Sequence, residues 1–115
     1  MRLVHSDGHT TRSLAGTVET ADSTLTRAKG LMFRRSIPDD YALVFRFDQP
    51  KSRDVHMLFV PFPIDALWLV GDEVVHKKRL RSWVGLGRGT ADTLVELPAG
   101  AADDVEEGDI VTLRE

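Results

Sequence analysis

The chain has 115 residues, 42% of them hydrophobic and 29% charged, with a net charge of -3 and no cysteine. This is ordinary globular composition at the size of one domain, which argues against disorder and against a second core. Without cysteine, disulfides, thiolate metal sites and cysteine nucleophiles are excluded, and so small a charge gives no general attraction to nucleic acid.

The first residues, Met1 to Gly8, lack the apolar run of a signal peptide, and nowhere do about 18 apolar residues follow one another. A soluble, cytoplasmic protein with no membrane association is the expectation. Asp7-Gly8 suits the turn of an opening hairpin, whose second arm reaches about Thr20, with Gly16 marking a bulge or a close approach by another segment. Asp22-Ser23-Thr24 is helix-capping chemistry and leads into Leu25, Ala28, Leu31 and Met32 at helical spacing. The spacing predicts one main amphipathic helix, about Ser23 to Arg35, ended by Pro38.

From Tyr41 the period becomes two, with Tyr41, Leu43, Phe45 and Phe47 on one face. Asp48 to Ser52 reads as a turn, Val55 to Val60 and Ile64 to Val70 as central strands, Gly71-Asp72 as a tight turn, and Glu73 to Leu80 as a further strand. Residues 83 to 92, with Gly85, Gly87 and Gly89, read as a loop. Leu94 to Leu97 forms a short strand, Pro98 to Val105 a helical turn, and Ile110 to Leu113 the final strand. The fold class predicted is α+β: a mostly antiparallel, barrel-like sheet with the main helix packed on it and a short C-terminal helical turn, all in a single domain, 1–115.

The quoted pieces resemble a known family. Val18-Glu19-Thr20, Gly30-Leu31-Met32-Phe33-Arg34, Pro63-Ile64-Asp65, Leu94-Val95-Glu96-Leu97 with Ala99-Gly100, and Gly108-Asp109 match, in order, the pattern of the domain of unknown function 192, also called uncharacterised protein family 0127. The resemblance covers about residues 17 to 113. It implies a small, sheet-dominated domain with one main helix packed on it, and it implies no activity. Where many relatives carry Met-Lys-Asn-Thr, this chain has Met57-Leu58-Phe59-Val60, whose apolar replacements suggest packing. Many bacterial relatives are exported.

Several residues invite chemistry. Asp65 interrupts an apolar run and would share a strand face with Leu67 and Leu69, where an unpaired carboxylate costs several kcal/mol. Arg34, at the predicted helix end, is the proposed cation; a cap on the helix or on a turn, or a ligand-binding role, are the alternatives for Asp65. Gly30 is expected to let the helix approach the sheet while Leu31, Met32 and Phe33 fill the core, since the glycine spacing and lysine of a phosphate loop are missing. His56 and His76, with Asp54 and Asp72, could converge across strands, as could His5 and His9, but none has helical zinc-motif spacing and no metal is assigned. Lys77, Arg79 and Arg81 would form an outward row, joined by Trp83 and Arg88. That row is either a charged edge blocking strand pairing or an anion or RNA surface.

No Gly-x-Ser-x-Gly elbow or activated nucleophile is visible. The leading functional expectation is therefore a non-enzymatic binding or accessory domain without a cofactor, with homo-oligomerisation left open. The competing expectation is an enzyme or metal-dependent catalyst whose pocket lies between helix and sheet and uses Arg34, His56 and Asp65. A third is anion or RNA binding through the basic segment 76–88.

Overall fold

A computed structural model describes the backbone of residues 1–115 and the side chains of all but residues 24 and 25. Eight strands, β1 (Arg2–Ser6), β2 (Thr11–Ala15), β3 (Thr17–Ala21), β4 (Tyr41–His56), β5 (Ile64–Val70), β6 (Glu73–Leu80), β7 (Leu86–Pro98) and β8 (Ile110–Arg114), form one sheet. Its order is β2-β1-β8-β6-β5-β7-β4-β3. Every neighbouring pair is antiparallel except β3 and β4. The edge strands β2 and β3 are separated in sequence by Gly16 alone, so the sheet must curl until its two ends meet at that residue. Its amide donates to the Asp40 carboxylate at 2.9 Å. The close approach expected at Gly16 is thus made by Asp40, whose side chain occupies the space a Cβ would need.

Three parts of the predicted architecture are corrected. The protein is not α+β, because the helix α1 spans only Thr24–Lys29. Ser23 caps its N-terminus, accepting from the Thr26 amide at 3.1 Å. Gly30, with φ 52°, closes it by donating to the Thr26 carbonyl. A glycine at positive φ takes the chain out of helical conformation, so the expected rod to Arg35 is a six-residue helix followed by turns. The side chain of Leu25 lies outside the described residues. The sheet is also not a closed barrel: among the described residues no ladder joins β2 to β3. The C-terminal helical turn is likewise a run of tight turns, with amide-to-carbonyl bonds from Ala101 to Pro98, Asp103 to Gly100 and Val105 to Ala102.

Strand boundaries differ for identifiable reasons. β4 continues through the expected turn at 48–52, because Arg46 opposes Thr93 and Lys51 opposes Ala91, five steps along β4 against two along β7. The extra residues arch out as a large bulge, where Pro50, lacking an N–H, costs no ladder bond. Arg53 stitches this arch, with its guanidinium 3.8 Å from the Phe47 ring centroid and donating to the Gln49 carbonyl at 2.9 Å. Met57 to Val60, the second part of the run read as strand, lies in a loop.

The predicted loop 83–92 is mostly strand, since β7 starts at Leu86. Gly87 and Gly89 lie on one face of it because the Trp68 indole rests there; a Cβ at Gly87 would stand 2.6 Å, and one at Gly89 2.8 Å, from indole carbons. Trp68 is fully buried, and its Nε1–H donates to the Arg53 carbonyl at 2.9 Å. Gly87→Ala is expected to lower stability by about 1–3 kcal/mol through overpacking, read as a lower urea midpoint at unchanged slope.

The sheet buries both faces. Leu43, Phe45, Ala66, Trp68, Leu80 and Leu94 pack with Leu31 on one side. Ala42, Val44, Leu67, Leu69, Val95 and Leu97 pack on the other with Leu3, Ala102 and Val105. β5 sits in the middle, which explains its almost unbroken apolar run. Among the described residues no helix is long and apolar enough to cross a membrane.

Candidate functional site

Along β7 the side chains alternate, so Leu94 and Glu96 share the face that looks toward α1 while Val95 and Leu97 look away. Glu96 lies between Leu43 of β4 and Ala66 of β5, neither of which offers a polar atom from its side chain. It is 7% exposed, and among the described residues no hydrogen-bond donor reaches its carboxyl. Burial raises its pKa from 4.5 to about 7, with the Arg34 charge opposing the rise. A carboxyl in this position is close to half protonated at neutral pH.

That carboxyl forms part of the floor of a cavity of about 460 Å³. Phe45, Ile64, Leu94, Met57 and Val60 supply apolar walls, and α1 with Gly30, Leu31 and Met32 closes one side. Gly30 matters here: a Cβ on it would lie 3.4 Å from the Phe45 ring and 3.9 Å from Glu96 Oε1. The close approach expected of it is present, and Leu31 is buried as foreseen. Phe33 instead points outward, 68% exposed. Arg27, Lys29, Arg53, Asp54 and His56 complete the lining with a surplus of positive charge.

Of the three residues named for a pocket between helix and sheet, only His56 lines this cavity. Its Nδ1 accepts from the Leu58 amide at 3.2 Å. Arg34 donates to both carboxylate oxygens of Glu19, at 3.1 and 3.3 Å, and to the Tyr41 hydroxyl at 2.9 Å, while that hydroxyl donates to Glu19 at 2.6 Å. This triangle ties the segment after α1 to the edge strand β3. The Arg34 guanidinium, with help from the Tyr41 hydroxyl, holds the Glu19 carboxyl below its usual range.

Asp65 lies on the opposite face and is 3% exposed. Its cation is Arg79 on the adjacent strand, at 2.8 and 3.3 Å, and it accepts from the Gly100 and Ala102 amides at 3.0 Å each. The Arg34 pairing expected from the sequence is not formed, whereas the turn cap offered as its alternative is. The pairing is not formed because Asp65 projects from the face away from α1, toward Gly100 and Ala102, while Arg34 lies against Glu19 of β3.

The basic row is largely engaged. Arg79 also binds Asp103, Lys77 donates to the Ala102 carbonyl at 3.1 Å, and Arg88 grips Asp54 at 2.5 and 3.0 Å. Arg81 and Trp83 are exposed. His76 packs on Trp68 and faces Glu107 at 3.6 Å, and His5 Nε2 meets Asp109 at 2.7 Å. Among the described residues no three His, Asp or Glu side chains converge as metal ligands would. Sequence reasoning missed Glu96, although it interrupts an apolar run just as Asp65 does.

Comparisons with known proteins place the chain. The profile of the DUF192 family, described as "Uncharacterized ACR", matches residues 4–113. A UPF0127 protein of Thermococcus gammatolerans is 32% identical over 101 residues, covering 84% of this chain and 66% of its own length. One of Thermococcus kodakarensis is 30% identical, covering 84% and 64%. The chain thus spans just under two thirds of the length of these relatives. Two crystal structures share the fold with a TM-score of 0.83. One is a Sinorhizobium meliloti protein described as a candidate transcription regulator, at 23% identity over 96% of this chain and 91% of that one. The other is a Novosphingobium aromaticivorans protein of unknown function, at 20% identity over 97% and 84%. With its sequence boxes, its sheet and both relatives in agreement, this chain belongs to the DUF192 (UPF0127) family.

Proposed function

We propose that the protein is a non-enzymatic binding module that holds a small amphipathic molecule in the cavity between α1 and the sheet. The observation that carries this is Glu96, a buried carboxyl lining an open cavity with no donor of its own among the described residues. No protein donor among the described residues reaches this carboxyl, and a ligand carrying an amine or another donor supplies the partner. The apolar walls accept the body of such a molecule, and the volume falls in the usual range for small ligands. Catalysis is the weaker reading, because Asp65 lies on the other face of the sheet and Arg34 is bound to Glu19.

The proposal is tested by thermal shift with a series of arylalkylamines such as phenethylamine, on wild type and Glu96→Gln. A rise in melting temperature that strengthens as pH passes through about 7 and disappears in the variant supports it. Equal shifts in both proteins, or none in either, would remove Glu96 from ligand recognition.

A further inference from the structure

Three non-glycine residues have positive φ: Phe33 at 69°, Phe59 at 59° and Trp83 at 68°. All three are aromatic and all are more than half exposed, at 68%, 52% and 54%. Bulky side chains avoid this region of backbone space, and each such residue costs about 1–3 kcal/mol. The fold therefore holds three strained aromatic residues outward, where hydrophobic burial returns little.

They belong to one surface. The Phe33 amide donates to the Phe59 carbonyl at 2.9 Å, the Trp83 amide to the Val60 carbonyl at 3.0 Å, and the Phe33 and Phe59 rings stack at 4.9 Å. Leu58, Val84 and Leu86 are also exposed, and Leu86 pairs with His56 beside the same loop. Among the described side chains, six of the nine exposed large apolar residues thus gather at one end of the sheet, an apolar patch that requires a partner to explain it.

Charge selects the partner. The chain has 18 acidic residues, yet none falls in the segments 30–37, 57–63 or 81–86 that build this end, whereas Arg34, Arg35 and Arg81 do. Arg35 and Arg81 are exposed and carry no ion pair among the described residues. Aromatic and aliphatic side chains ringed by cations suit the headgroup region of an anionic bilayer, where ring and alkyl carbon sink below the phosphates and arginines meet them. Leu58, Val84 and Leu86 argue for lipid over nucleic acid, since aliphatic side chains do not stack on bases. We infer that this end of the sheet is a peripheral docking surface for anionic membranes. The patch adjoins the cavity through Leu31, Met57 and Val60, but docking there needs no ligand in it.

Vesicles of phosphatidylcholine, alone or mixed with phosphatidylserine, test it by co-sedimentation and tryptophan emission. Of the two tryptophans Trp68 is fully buried, so a blue shift on binding reports Trp83. Binding to the mixed vesicles that weakens with salt and nearly vanishes without phosphatidylserine is expected. Phe59→Gly and Trp83→Gly should each weaken partitioning by about tenfold while leaving the melting temperature equal or higher, because glycine relieves the strained backbone. Arg35→Gln with Arg81→Gln should erase the preference for anionic lipid. The inference is overturned by absence of binding at low salt, or by a lower melting temperature in the two glycine variants, which would make those rings fold elements. It also fails if Trp83 is quenched by oligouridylate and not by vesicles, or if sedimentation shows a dimer that the glycine variants abolish.

Discussion

Asp65→Ala should lower the unfolding free energy by about 2–5 kcal/mol, because two turn amides lose their acceptor at about 1–3 kcal/mol each. The carboxylate receives Arg79 and two amides from the turns after β7. Truncation strands those amides in the layer that contains Ala102 and Val105. Asp65→Asn should recover part of the loss, since an amide oxygen still accepts. Arg79→Ala should do much less harm, because its guanidinium is half exposed and the two amides keep their acceptor. Chemical denaturation of the three variants gives the ranking. An Asp65→Ala protein as stable as wild type would show that the turns hold without their anchor.

The second large effect depends on pH. Glu96 titrates near 7 in the folded protein against 4.5 for an ordinary glutamate. Between these values the unfolded chain has released the proton and the folded chain retains it, so stability falls as pH rises. The favourable contribution of the neutral carboxyl is complete below about 4.5 and gone above about 7, a difference of about 3 kcal/mol. Glu96→Gln, neutral throughout, should match wild type near pH 4.5 and exceed it by up to that amount at pH 8. Urea unfolding at several pH values checks this, and parallel profiles for the two proteins would mean that Glu96 does not titrate in this window.

The opposite sign holds for Asp7, Glu19, Asp54 and Asp109, whose carboxyls are held below the usual range. The causes are the Thr10 and His9 amides for Asp7, Arg34 for Glu19, Arg88 for Asp54, and the Glu106 amide with His5 for Asp109. Their contributions are present above the ordinary carboxylate range and are lost on acidification. The two windows are therefore separable in one pH series.

Local chemistry was legible where it depends on neighbours in sequence. The Ser23 cap, the Gly71 turn, the alternation of Tyr41 to Phe45 and the central place of β5 follow from residue type and period. Reasoning of the same kind failed where a distant side chain decides. Gly85, Gly87 and Gly89 spell a loop by composition, yet the last two lie in a strand because Trp68 needs their space. Asp48 to Ser52 spells a turn, yet β7 pairs with β4 on both sides of it.

The sequence by itself determined the family, the preponderance of strand and the fact that Asp65 needed partners, since a charge inside an apolar run demands compensation wherever it sits. Only the tertiary structure decided that Arg79 and two turn amides compensate it, that Arg34 serves Glu19, and that Glu96 lines a cavity with no such help. The physical reason is that desolvation depends on which strands become neighbours. That pairing is fixed by contacts between residues far apart in the chain, which no local pattern encodes.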